Sequence, residues 1–235
     1  MMRLTTRICS YASAFLLGIL MLVLLGGMQE LGAAAESANL TVDHILDRVE
    51  KKYADSKFSA DFIQKSTIKA MQITDLATGK VYIKYPGMMR WEYEKPDRQI
   101  IITDADKLWI YRPEDNQVMT GNAPTFFRDG KGASFLSDIR LIRQKFDISL
   151  EQGEQGQSDL FYHLKLIPLE KTLDISLIRL MISRQTFNVL QVSTLNFYGD
   201  ETRIDLVNSA FDVDLEDSLF SFKIPEGVDV LQIDE

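Results

Sequence analysis

Gly79-Lys80-Val81-Tyr82-Ile83-Lys84-Tyr85-Pro86-Gly87-Met88-Met89-Arg90-Trp91-Glu92-Tyr93 spells two strands and the turn between them. Val81, Ile83 and Tyr85 alternate with Lys80, Tyr82 and Lys84, and Met89, Trp91 and Tyr93 alternate with Arg90, Glu92 and Glu94. A period of two puts one set on a buried face and the other toward water. Pro86-Gly87 breaks the pattern where the chain must reverse.

The same grammar runs on both sides. Upstream, Phe58, Ala60 and Phe62 alternate with Ser59, Asp61 and Ile63. Downstream, Ile100 to Ile102 and Leu108 to Tyr111 pair across Asp104-Ala105-Asp106-Lys107, and Arg112-Pro113-Glu114-Asp115-Asn116 turns into Gln117-Val118-Met119. Strands recur at Asp147–Leu150, Leu160–Ile167, Asp174–Ser183, Val189–Phe197 and Arg203–Val207, with a last short one expected at Phe220–Pro225. Two helical stretches interrupt them. Val42, Ile45, Leu46, Val49 and Tyr53 recur at helical spacing behind Thr41 and Asp43, a fit cap and first turn. Between Ala123 and Phe146 the positions Phe127, Phe135, Ile139, Ile142 and Phe146 fit one or two helices, broken at Gly130 and Gly132. About ten strands with few helices predict a mainly β fold: a single antiparallel sheet curled into a barrel or half-barrel, with the helices covering one side or plugging one end. A two-sheet sandwich is the alternative.

The first 35 residues follow other rules. Arg3 and Arg7 precede an uncharged run from Ile8 to Gln29, Gly26-Gly27 breaks it, and Ala33-Ala34-Ala35 supplies small residues for cleavage. This is the order of an export signal, and an uncleaved anchor is the alternative. The expected division is residues 1–35 as signal peptide and 36–235 as one domain, working in the periplasm. Without Arg3, Arg7 and Glu30, the 26 basic and 34 acidic residues of the whole chain become 24 and 33. That acidic balance argues against nucleic acid as a partner. The only cysteine, Cys9, precedes the apolar run, so it is not placed for lipid attachment, and the exported part is expected to fold without a disulfide.

Catalytic patterns are sparse. His44 and His163 have no metal-ligand spacing, Asp212, Asp214, Glu216 and Asp217 lack the glycine and closing glutamate of a calcium loop, and no nucleophile elbow or phosphate loop is present. No enzyme, metal or cofactor is expected. What remains is apolar. Phe62, Val81, Ile83, Tyr85, Met89, Trp91, Tyr93 and Trp109 are the expected cavity wall, with Tyr85 near the lid. Each alone reads better as core. A barrel of this strand count has an interior too wide for the side chains of one sheet to fill, so either the helices or an apolar ligand fills it.

Phe58-Ser59-Ala60-Asp61-Phe62-Ile63-Gln64-Lys65, the Gly79–Tyr93 stretch, Lys107-Leu108-Trp109-Ile110-Tyr111-Arg112-Pro113 and Asn116-Gln117-Val118 resemble, in that order, the outer-membrane lipoprotein carrier family. The resemblance implies an unclosed antiparallel β-barrel, a half-barrel with a helical lid, and a monomeric periplasmic carrier that shields lipoprotein acyl chains in its apolar cavity. It would receive them from an inner-membrane ABC-type releasing complex and pass them to an outer-membrane lipoprotein receptor. A carrier of another apolar ligand such as a free lipid, a lipid hydrolase, and a packed interaction module stay open beside it. Two departures stand out. Tyr85 occupies the position before proline where the family often has a lid-holding arginine. Asp104-Ala105 stands for the common Asp-Gly, which suggests a different turn type.

Overall fold

The computed structural model describes residues 40–54, 56–124, 136, 139–151, 160–171 and 173–233. The export-signal reading of residues 1–35, and Phe127, Gly130, Gly132 and Phe135 of the expected lid, lie outside them. Val42–Glu235 forms one compact unit.

Its core element is a twelve-stranded sheet: β1 Lys57–Ile68, β2 Ile73–Lys84, β3 Met88–Lys95, β4 Gln99–Asp104, β5 Lys107–Arg112, β6 Gln117–Asn122, β7 Phe146–Glu151, β8 Phe161–Pro168, β9 Leu177–Ser183, β10 Val189–Leu195, β11 Glu201–Phe211 and β12 Asp229–Gln232. The strand order is β12-β6-β5-β4-β3-β2-β1-β11-β10-β9-β8-β7. β12 and β7 are the two edges and do not pair with each other, so the barrel is unclosed. Helix α1, Val42–Tyr53, precedes the sheet, and helix α2, Leu141–Lys145, leads into β7.

Register fixes which side chains share a face. Phe58 pairs with Ile83 and Ala60 with Val81; Ile83 then pairs with Met89 and Val81 with Trp91. All six side chains are buried, at 5 % exposure or less, on the inner face. The other half of the sheet continues that face through Leu206, Ile204, Val192, Leu180 and Leu164. At Gly79 the two strands approach too closely for any side chain: a Cβ would stand 1.9 Å from the Glu92 carbonyl oxygen and 2.9 Å from the Phe62 ring. Phe62 covers the gap.

The tail departs from expectation. Phe220–Pro225 is not a strand. Asp217–Phe220 is a 3-10 turn packed on β3 and β4, and Phe220 is buried. The strap is pinned to the outer face: Lys84 bonds Asp217, Lys57 lies 3.6 Å from Asp214, and the Arg90 guanidinium donates to the Leu219 carbonyl at 3.2 Å. Only after it does the chain join the sheet, as β12, running parallel to β6. One parallel pair therefore ends an otherwise antiparallel order.

The Asp104-Ala105 turn is also corrected. Ala105 sits at φ 85°, in the left-handed conformation that glycine takes most cheaply. The Asp104 carboxylate accepts from the Asp106 and Lys107 N–H groups at 3.0 and 2.7 Å and holds the turn. The aspartate keeps a glycine-type turn despite the alanine.

Candidate functional site

The inner face is the candidate site. Phe62, Val81, Ile83, Met89, Trp91 and Tyr93 all stand on it. Phe62 packs against Trp91 and Tyr93 with ring centroids 4.8 and 4.9 Å apart. The Tyr93 hydroxyl donates to Gln64 Oε1 at 3.0 Å, and burial pushes the Tyr93 phenol up to about 12.

Trp109 does not belong with them. Ile102 pairs with Trp109, and Thr103 with Leu108. Because Met89 pairs with Thr103, the inner face of β5 carries Leu108, and Trp109 points outward. There Trp109 and Tyr111 meet Phe222 of the strap at 6.5 and 5.4 Å. Parity has to be carried through the two-residue Ala105-Asp106 loop to see this.

Two helical segments cover the inner face. On α1, Ile45, Leu46, Val49 and Tyr53 are buried. The Tyr53 ring meets Phe58 and Phe211 at 5.7 and 5.2 Å, and its oxygen accepts the Val189 N–H at 3.0 Å. Burial raises the Tyr53 phenol well above the ordinary tyrosine value. The second cover is the lid, of which Leu136 and the stretch from Ile139 through α2 are described. Leu136, Ile139 and Ile142 are each 1 % exposed. The sequence left open whether helices or a ligand fill the interior; among the described residues, the apolar side chains of α1 and of the lid are buried, as are those of the inner face.

Ties visible among the described residues help to hold the lid. The Arg140 guanidinium lies 5.0 Å from the centre of the Tyr85 ring, in the β2–β3 turn. Tyr85 thus sits in a turn beside the lid rather than on the cavity wall, as the face of an aromatic–cation pair. Arg143 reaches three α1 carboxylates, Asp43 at 2.8 Å and Asp47 and Glu50 at 2.5 Å. Burial works against the Arg143 charge, but Glu50, Asp47 and Asp43 outweigh it and raise its pKa. Finally, the Lys145 carbonyl accepts the Leu169 N–H at 2.8 Å. The first two ties are charge-based and partly exposed, so they are individually weak. Tyr85 is legible in the sequence as a lid neighbour, whereas Arg140 and Arg143 were missed; a basic residue on each side of the buried Ile142 was the available signal.

A separate cleft of about 400 Å3 opens beside Tyr93, at the β3–β4 and β5–β6 turns. Gln64, Arg98, Arg112, Glu114 and Asp115 line it. Its polar walls suit no hydrocarbon chain. Among the described residues, no group of His, Cys, Asp and Glu is arranged to hold a metal ion.

The chain is similar to known proteins. The family model described as outer membrane lipoprotein carrier protein LolA matches residues 55–223. An outer-membrane lipoprotein carrier protein of Chromobacterium violaceum is 32 % identical, over 75 % of this chain and 81 % of that protein. One from Methylococcus capsulatus is 27 % identical, over 77 % and 85 %. The crystal structure of an uncharacterized conserved protein from Thermus thermophilus superimposes with a TM-score of 0.53 at 18 % identity, covering 81 % of this chain and 98 % of that one; it speaks to the fold alone.

Proposed function

The chain belongs to the outer-membrane lipoprotein carrier family, LolA, and from that premise we propose how it carries its cargo. The family's general role, non-catalytic carriage of lipid or lipoprotein in the periplasm, is this protein's role. In the finer reading, acyl chains of a lipoprotein take the place of the lid's Leu136, Ile139 and Ile142 against Val81, Ile83, Met89, Trp91 and the Phe62–Tyr93 cluster. The observation that carries it is the pairing of a continuous apolar sheet face with a cover held by partly exposed charges.

The energetics suit that exchange. Each methylene taken out of water is worth about 0.8 kcal/mol, so a bare acyl chain does not cross an aqueous space unaided. A lid whose apolar residues already satisfy the sheet keeps the empty carrier soluble. Cargo swaps one apolar cover for another, so the open and closed states differ by little and hand-over runs downhill without nucleotide. The carrier would take cargo from an inner-membrane ABC-type releasing complex and yield it to an outer-membrane receptor. It would work as residues 36–235, exported and cleaved after Ala35.

Mass spectrometry of the intact protein recovered from the periplasm tests the cargo. Acylated proteins bound one to one are expected. Glycerolipid alone, never an acylated protein, would replace this reading with that of a free-lipid carrier.

A further inference from the structure

Among the described residues, seven large apolar side chains are 60 % exposed or more: Met71, Leu76, Leu160, Leu169, Leu173, Phe197 and Tyr198. Five of them, all but Leu76 and Leu160, lie on three hairpin connections at the same end of the sheet. Met71 is in β1–β2, Leu169 and Leu173 in β8–β9, and Phe197 and Tyr198 in β10–β11. The Leu169 backbone meets the end of α2, yet its side chain stays outside the cover, and the strap lies on the other face.

These tips are fastened together. The Lys69 N–H donates to Asp200 Oδ1 at 2.9 Å, which locks β1–β2 to β10–β11. The Asn196 side-chain amide donates to the other Asp200 oxygen at 2.9 Å, and the Asp200 N–H donates back to Asn196 Oδ1 at 2.9 Å. The Phe197 N–H donates to the Leu173 carbonyl at 3.1 Å, locking β10–β11 to β8–β9. These bonds hold the three turns together, and the large side chains are exposed outside them. Phe197 and Tyr198 meet edge to face, 6.1 Å apart, and both remain two-thirds exposed or more. A rim this apolar on a soluble carrier marks a contact surface.

We propose that this hairpin end docks on the neutral, zwitterionic surface of a lipid bilayer, with Met71, Leu169, Leu173, Phe197 and Tyr198 entering its interface. Three features favour lipid over a protein socket or a second copy. The apolar groups ride on the tips of turns, the shape that penetrates a surface. They include a tyrosine, whose ring is apolar and whose hydroxyl stays among headgroups. Lys69 and Lys171, both exposed, flank them, and their ammonium groups can reach lipid phosphates while their stems stay apolar. The acidic whole, with a pI near 4.9, disfavours a strongly anionic surface. The carrier reading gives the rim its reason, since cargo begins and ends in bilayers. The rim's own chemistry does not depend on it.

Flotation of the exported protein with protein-free phosphatidylcholine–phosphatidylethanolamine vesicles tests the proposal. A Phe197→Trp variant reports locally: vesicles should shift its emission to the blue, and brominated lipid should quench it. Phe197→Ser with Tyr198→Ser should lower the vesicle-bound fraction at least tenfold, and Leu169→Ser with Leu173→Ser should do the same. All four side chains are exposed, so the fold should tolerate both pairs. No flotation, an unmoved signal from the introduced tryptophan, or undiminished binding by both double variants overturns it. A rim-dependent dimer in sedimentation, without vesicle binding, overturns it too. None of these outcomes touches the cargo reading, which stands or falls on the bound acylated protein.

Discussion

At the scale of single residues, two positions store or release measurable free energy. Ala105 holds φ 85° against the preference of every residue with a Cβ. Ala105→Gly removes that cost, about 1–2 kcal/mol, and adds back roughly 0.5–1 kcal/mol of unfolded-chain entropy. A net gain near 0.5–1 kcal/mol is expected, about 1–4 °C in Tm by calorimetry; a loss would mean the turn is not strained. Tyr53 is the opposite case. Tyr53→Phe strips the Val189 N–H of its acceptor in a buried place, for an expected loss of about 1–3 kcal/mol in denaturant unfolding. The pH dependence follows from the same burial. The folded phenol's pKa is raised, so above the ordinary value of 10.0 the unfolded chain loses its proton first, and stability falls as pH rises. Tyr93, raised to about 12, adds to the fall between those values. Tyr53→Phe should flatten the alkaline slope, leaving the share due to Tyr93.

At the scale of elements, the lid's fastening is the testable part. Arg143→Ala frees three α1 carboxylates from their shared cation. Exposed pairs of this kind contribute about 1 kcal/mol or less each, so amide exchange across Ile142–Lys145 should speed up roughly fivefold. One molar salt should do much the same to the unaltered protein, because screening shortens the reach of exposed charges to about 3 Å. Exchange unchanged by either treatment would place the lid's hold in its apolar residues alone. What the sequence made legible divides along similar lines. β1 to β3 could be read because alternate residues are buried along them, and β4 to β6 because Asp-containing turns punctuate short apolar runs. α1 could be read because its four buried residues recur at helical spacing. β12 could not: all four of its residues are exposed, so no alternation marks it. Phe220 and Phe222 mimicked a strand because they pack on the outer face, one against β3 and β4 and the other against Trp109 and Tyr111. α2, five residues long, is too short for periodicity to show.

At the scale of the whole molecule, one sheet serves two cores. The outer face of β3 to β6 is sealed by the chain's own tail, through Ile102, Val118 and Phe220, all buried. The inner face is sealed by helices. The tail is anchored by a sheet strand; the ties of the described lid include two partly exposed cations. On the proposed reading, the inner cover is the one that yields to cargo. The sequence pointed to the right inner-face residues on β1 to β3, since period two there runs unbroken through the Pro86-Gly87 turn. It misplaced Trp109 because aromatic character says nothing about which face a strand residue takes. It left open what covers the inner face, since that depends on how far α1 and the lid pack down, not on any local pattern. Tethering the lid to the sheet tests this picture. Tyr85→Cys and Arg140→Cys, bridged by a short bismaleimide in the exported protein, would hold the lid in place. The bridged protein should fail to take up a triacylated lipopeptide, while the unbridged double variant takes it up at least as well as the unaltered protein. Equal uptake by the bridged and unbridged forms would contradict the account, because cargo would then reach its place without the lid leaving.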